Sequence, residues 1–185
     1  MTRHPHLLDR NNSALVIVDI QEKLSTIMKD RDVLLENVSK LIKGCRILNV
    51  PVFYTEQYPK GLGRTEKVLV DLLADLKPVE KIRFSVCNEI ALMRPIKEKS
   101  VQQIILAGIE THVCILQSAL DFLHQGYQVH IPADAAFSRK EADRQTALNR
   151  LAREGVIITS TEAALFELMA VAGSEEFKQI SKLVK

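Results

Sequence analysis

Ala14-Leu-Val-Ile-Val18 is an unbroken apolar run in which three of the five residues are β-branched. Apolar and polar positions do not alternate in it. A strand of that kind has to be covered on both faces, as in a parallel sheet enclosed by helices. Residues 100–107 repeat the pattern with Val101, Ile104, Ile105 and Leu106. Between such runs the apolar period becomes helical. Val33, Leu34, Val38, Leu41, Ile42, Cys45 and Leu48 fall on one face of a helix predicted over 32–48. The same reading predicts strands at 51–55, 79–81, 127–132 and 156–159. It predicts helices at 67–76, 89–99, 113–125, 139–154, 161–170 and 175–184, with Pro95 able to interrupt the second of these. Gly126 stands just beyond one helix end, where a left-handed residue is needed.

Strands alternating with helices from end to end imply an α/β fold with three α/β/α layers and an open parallel sheet of about six strands. No repeat or linker divides the chain, so a single domain over residues 1–185 is expected, with 1–12 as an N-terminal tail. Twenty-five basic and 23 acidic residues give a net charge of +2, which provides no basic face for nucleic acid. The apolar runs are too short to cross a bilayer, and the N-terminus has no signal-peptide core, so no membrane partner is expected. Cys45, Cys87 and Cys114 are odd in number and show no paired spacing. Reduced thiols in a cytoplasm are the expectation.

In an open parallel sheet, ligands bind beyond the carboxyl ends of the strands, where strand order reverses. The residues just after the predicted strands are Asp19 and Gln21, then Glu56 and Tyr58, then Lys81 to Ser85, then Gly108 to Cys114. They bring a carboxylate, an amine and a thiol to one edge. Cys114 near a helix N-terminus would be biased toward thiolate, and Lys81 would add positive charge. Asp19 could take the thiol proton and return it to a leaving group. Singly, each has an ordinary alternative: a core thiol, a turn aspartate, a surface lysine. His112 could pair with Cys114 or serve at a pocket edge. Gly61-Leu-Gly63 matches no phosphate-binding loop, and no clustered metal-ligand motif is present.

Val16-Ile-Val-Asp-Ile-Gln21, Lys81-Ile-Arg-Phe-Ser85 and Gly108-Ile-Glu-Thr-His-Val-Cys114 together resemble the isochorismatase-like cysteine hydrolase superfamily. The loop from Thr55 to Gly63 looks most like its isochorismatase-domain-containing branch. The resemblance implies strand order 3-2-1-4-5-6, a Rossmann-like arrangement that faces the first strand with the fourth. It places Asp19, Lys81 and Cys114 on the catalytic positions and implies a cis peptide at Ile109–Glu110. It implies an oxyanion site made by the backbone N–H groups of Glu110 and Cys114. Gln21, Glu56, Tyr58, Phe84 and Cys87 are expected to line the substrate pocket. Metal-dependent nicotinamidases of the superfamily carry an Asp-x-His motif where this chain has Gln57 and Pro59. No metal or cofactor is therefore expected. The implied reaction is hydrolysis of a C–N bond in a small amide-like or carbamoyl molecule. The alternatives are a redox-sensing or non-catalytic binding protein and a vinyl-ether hydrolase. A homo-oligomer is expected.

Overall fold

The computed structural model describes residues 3–185, and in it seven strands form one parallel sheet. They are β1 (Ser13–Val18), β2 (Val52–Gln57), β3 (Val79–Lys81), β4 (Gln103–Ile109), β5 (Gln128–Pro132), β6 (Ala136–Phe137) and β7 (Ile157–Thr159). Across the sheet the path runs β3-β2-β1-β4-β5-β7, and β6 stands off it, paired with the last two residues of β4. The expected order is thus observed, with one strand added. Two residues are too short for a periodicity to reveal, so β6 had no sequence signal.

The helices are α1 (Glu22–Ser25), α2 (Arg31–Ile47), α3 (Pro59–Leu62), α4 (Lys67–Leu72), α5 (Ile90–Glu98), α6 (Leu116–His124), α7 (Glu141–Arg153), α8 (Thr161–Met169) and α9 (Glu175–Val184). Pro95 removes a backbone donor inside α5 without ending it. Gly108 and Ile109, expected in a turn, are the last residues of β4, because β6 supplies them with a partner.

Every residue of β1 is buried, as its apolar run requires. Leu15 and Ile17 enter a core with Leu34 and Leu41 of α2, Leu69 of α4, and Leu165 and Leu168 of α8. Ala14, Val16 and Val18 enter the opposite core with Leu92 and Ile96 of α5, Phe122 of α6, and Leu148 and Leu151 of α7. This alternation across the pleat is the direct reason that a continuous apolar run is needed. The segment before β1 is held against the body: Leu8 is fully buried, and Arg10 pairs with Glu176 of α9 at 2.9 Å.

The chain passes from β1 to β2 on one side and returns from β3 to β4 on the other, so the order reverses between β1 and β4. These two strands pair from Ser13↔Gln103 to Val18↔Gly108. Gly108 has φ +126, and a Cβ there would stand 2.1 Å from the Val18 carbonyl oxygen. Neither the dihedral nor the contact tolerates a side chain, and the neighbour is backbone that cannot rotate away. Gly108→Ala is expected to destabilise the fold by about 3 kcal/mol or more. The midpoint of denaturant unfolding reads the change, and a shift near zero would contradict the close approach.

His130 on β5 is fully buried. Its Nε2 is 3.0 Å from Gln128 Oε1, and its Nδ1 has no hydrogen-bond partner among the described residues. Burial, and secondarily the His6 charge, lowers its pKa to about 4. An unfolded chain takes up a proton near the ordinary value of about 6.5, which the native state refuses. Stability should therefore decline as pH falls from about 6.5 toward about 4, by at most ~1.4 kcal/mol per pH unit from this group. His130→Phe should flatten the unfolding midpoint between pH 6.5 and 5, above the range where carboxylates dominate.

Candidate active site

Asp19 is the first residue past β1 and adopts φ 54, a left-handed conformation unusual for a residue with a side chain. Its carboxylate accepts from Lys81 Nζ at 2.6 Å and from Thr55 Oγ1 at 2.7 Å. Both charged side chains are 0% exposed. Lys81 ends β3 and pairs in register with Gln57 at the end of β2. Its ammonium also reaches Gln57 Oε1 at 2.6 Å and the carbonyls of Phe84 and Arg83 at 3.1 and 3.2 Å. Four oxygens thus surround a group with three protons. Burial raises the Asp19 pKa, against the opposing pull of Lys81 and Thr55.

Cys114 lies in a π-helical turn, Thr111–Ile115, that leads into α6. This turn follows the Ile109–Glu110 bond, which is cis. Val113 N and Ile115 N both donate to the Glu110 carbonyl. The Cys114 side chain is nearly closed to water, and Asp19 and Lys81 both act on it electrostatically. The expected bias toward thiolate is corrected here. Burial first, then the Asp19 charge, pushes the Cys114 thiol up to about 12, and Lys81 only moderates the rise. Desolvation disfavours a thiolate more than a helix end or one already-paired ammonium can favour it.

The structure brings Asp19, Lys81, Glu110 and Cys114 to one edge of the sheet, and it redistributes the expected pocket residues. Gln21 is fully buried; its amide donates to the carbonyls of Gln57 and Gly63, and its Oε1 accepts from Gln57 N. It fixes the β2 end and does not line a pocket. Glu56 is also withdrawn: its carboxylate takes the backbone and hydroxyl of Thr65 and pairs with Arg64 at 2.8 Å. Cys87 is core, with Sγ 3.5 Å from the Ser118 carbonyl. Tyr58 and Phe84 are exposed. Tyr58 lines a cleft of about 710 Å³ with Lys60, Lys81, Ile82, Arg83 and Glu89. That cleft includes Lys81 among its walls and neither Asp19 nor Cys114.

Three residues near the site had no holding role in the sequence reading: Thr55, Thr111, and Gln57, which entered only as a missing metal ligand. Thr55 and Gln57 hold Asp19 and Lys81, because β2 runs two residues beyond the apolar pattern that defined it. Thr111 is fully buried, and its hydroxyl has no partner among the described residues. At the Asp-x-His positions of the metal-dependent branch, the Gln57 amide is already engaged by Lys81 and by the Ile82 carbonyl, and Pro59 has no ligating atom. These residues do not fit a metal.

The family model described as the isochorismatase domain matches residues 13–163. Isochorismatase family protein 1A of Dictyostelium discoideum is 44% identical over 184 residues, spanning 95% of this chain and 87% of its own length. A Caenorhabditis elegans structure described as a MAR1 ribonuclease superposes with a TM-score of 0.89 at 38% identity, covering 96% of this chain and 92% of that one. An octameric hydrolase of unknown specificity from Escherichia coli shares the fold with a TM-score of 0.89 at 22% identity, over 98% of this chain and 92% of that one. With a domain match over most of the sequence and relatives this similar along nearly their whole length, the chain belongs to the isochorismatase family.

Proposed function

We propose that this protein is a cysteine hydrolase that cleaves a C–N bond of a small amide or carbamoyl compound, without a metal, through a thioester on Cys114. The observation that carries the reading is the Asp19–Lys81 pair, closed to solvent beside the thiol. A buried ion pair is poor value for stability alone. Beside a nucleophile it supplies a proton acceptor and a fixed counter-charge.

As the Cys114 sulfur attacks the carbonyl carbon, its proton passes to the Asp19 carboxylate. The carbonyl π electrons move to oxygen, where the backbone N–H groups of Glu110 and Cys114 would stabilise the charge. Collapse of the tetrahedral intermediate breaks the C–N bond, and the nitrogen leaves with the proton from Asp19. Water then attacks the thioester, its proton returns through Asp19, and the thiol is restored. Burial raises the Asp19 pKa, which makes the carboxylate a stronger base for this transfer. A neutral resting thiol is consistent with proton loss during attack, not before it.

The same neutral thiol weighs against a redox sensor, since oxidants react with the thiolate. A vinyl-ether hydrolase would leave Cys114 without a nucleophilic role. All three cysteines are free and buried, in keeping with a reducing compartment such as the cytoplasm. A homo-oligomer is the assembly we expect. It is supported by the octameric neighbour and by the exposed side chains of Tyr58, Ile82, Phe84 and Ile90.

A panel of small amides, ureido acids and vinyl ethers, followed by release of ammonia, amine or pyruvate, identifies the substrate class. On any substrate found, Cys114→Ala should remove turnover and the covalent mass increase of the thioester. Asp19→Asn should lower turnover by at least about 10²-fold. Full activity of Cys114→Ala would end the nucleophile reading. Light scattering should return a multiple of the 20.8 kDa chain mass, and a monomeric mass would refute the assembly.

A further inference from the structure

The turn that carries Cys114 is fastened from outside by two consecutive residues, Ser138 and Arg139, which follow β6. Arg139 N donates to Glu110 Oε2 at 3.0 Å, and its guanidinium reaches Glu110 Oε1 at 3.2 Å. Ser138 Oγ lies 3.4 Å from His112 N and 3.0 Å from His112 Nδ1. Glu110 and His112 flank the start of the turn, so alternate residues of one segment meet adjacent residues of the other. The anchors are well buried on one side of each contact: Ser138 is 7% exposed and Glu110 8%.

One Ser138 hydroxyl can serve both contacts to His112 at once. Ser138 Oγ accepts from the His112 backbone N–H, so its single proton is available for Nδ1. With Ser138 donating, Nδ1 is the acceptor and Nε2 carries the ring proton, 4.0 Å from Asp143 Oδ2 of α7 and beyond hydrogen-bond range. Ser138 therefore ties the cysteine turn to the segment that follows β6, the strand paired with the end of β4. This arrangement also explains why His112 is not engaged with Cys114, the pairing that its sequence position had left open.

We infer that His112 is a positioning residue: through Ser138 it holds the Thr111–Ile115 turn so that the Cys114 sulfur stays within proton-transfer reach of Asp19. The inference rests on the reading of Cys114 as nucleophile and goes beyond it by assigning what sets its position. Arg139 fastens Glu110, ahead of the turn, and Ser138 fastens His112, inside the turn. Its internal bonds, from Val113 N and Ile115 N to the Glu110 carbonyl, shape the turn but do not fix it to the sheet edge. A displacement on the order of 1 Å is enough to impair a reaction that depends on attack geometry.

The test uses iodoacetamide on the whole protein, with the modified cysteine identified by peptide mass. In the unaltered protein Cys114 should react faster than Cys87, and Asp19→Asn should slow it. His112→Ala should slow Cys114 alkylation roughly tenfold or more. His112→Asn, whose amide oxygen can take the Nδ1 place opposite Ser138, should restore the rate to within about threefold. Ser138→Ala should reproduce the His112→Ala effect and serves if that variant is poorly folded. A merely structural loosening would expose the buried thiol and speed its alkylation. An unchanged or faster rate in both His112→Ala and Ser138→Ala overturns the inference, as does failure of Asn to rescue. A Cys114 that reacts no faster than Cys87 in the unaltered protein, and is insensitive to Asp19→Asn, overturns the nucleophile reading and the inference with it.

Discussion

A carboxylate and an ammonium 2.6 Å apart, with neither side chain open to water, are the constraint around which the sheet edge is organised. Removing both charges from water costs several kcal/mol per ion, and their attraction offsets it only with good geometry and further hydrogen bonds. The fold supplies those bonds from β2 and from the loop after β3. Thr55 and Gln57 come from β2, and two loop carbonyls after β3 complete the ammonium shell. Asp19 itself is held in the left-handed region, a conformation whose strain is of order 1–3 kcal/mol and persists only where the surroundings enforce it. Gln21 anchors the end of β2 by two hydrogen bonds and thereby holds Gln57 where Lys81 needs it. Stability alone does not explain this expenditure of structure on one pair.

The parallel sheet was legible because burial on both faces leaves an unmistakable mark: β1 could not be built from an alternating sequence. That Asp19, Lys81 and Cys114 share one sheet edge was legible for a related reason, since each closes or follows a strand whose end the sequence pattern locates. Pocket residues were not, because the backbone pattern carries no information on side-chain partners. Glu56 illustrates this. Its position beyond β2 suggested a pocket wall, yet Thr65 and Arg64 capture its carboxylate from a loop that no periodicity describes. Gln57 was weighed only as a missing metal ligand. Its contact with Lys81 depends on the register between β2 and β3, which appears only once the sheet is assembled.

The thiol shows where local rules mislead. A helix end and a nearby lysine are ordinary reasons to expect an acidic cysteine. Here the lysine is already engaged with Asp19, so its charge is largely offset before it reaches the sulfur. What remains is burial next to a carboxylate, and both raise the pKa. The sign of the shift follows from the order in which charges are satisfied, which spacing along a chain does not record.

That sign also changes what the site must accomplish. An acidic cysteine would be a standing nucleophile, tolerant of small movements. On the proposed reading, a thiol held up near 12 becomes nucleophilic only when the acceptor carboxylate is in place as the carbon–sulfur bond forms. Reactivity then depends on geometry more than on equilibrium ionisation. This is the physical reason that the turn bearing Cys114 needs external fastening. On that reading β6 serves the turn as well as the core, which both of its residues enter. Its pairing with Gly108 and Ile109 brings Ser138 and Arg139 alongside Glu110 and His112. Under the proposed mechanism, the diverted strand, the close passage at Gly108 and the buried pair are parts of one solution: a neutral thiol kept at a fixed distance from its base.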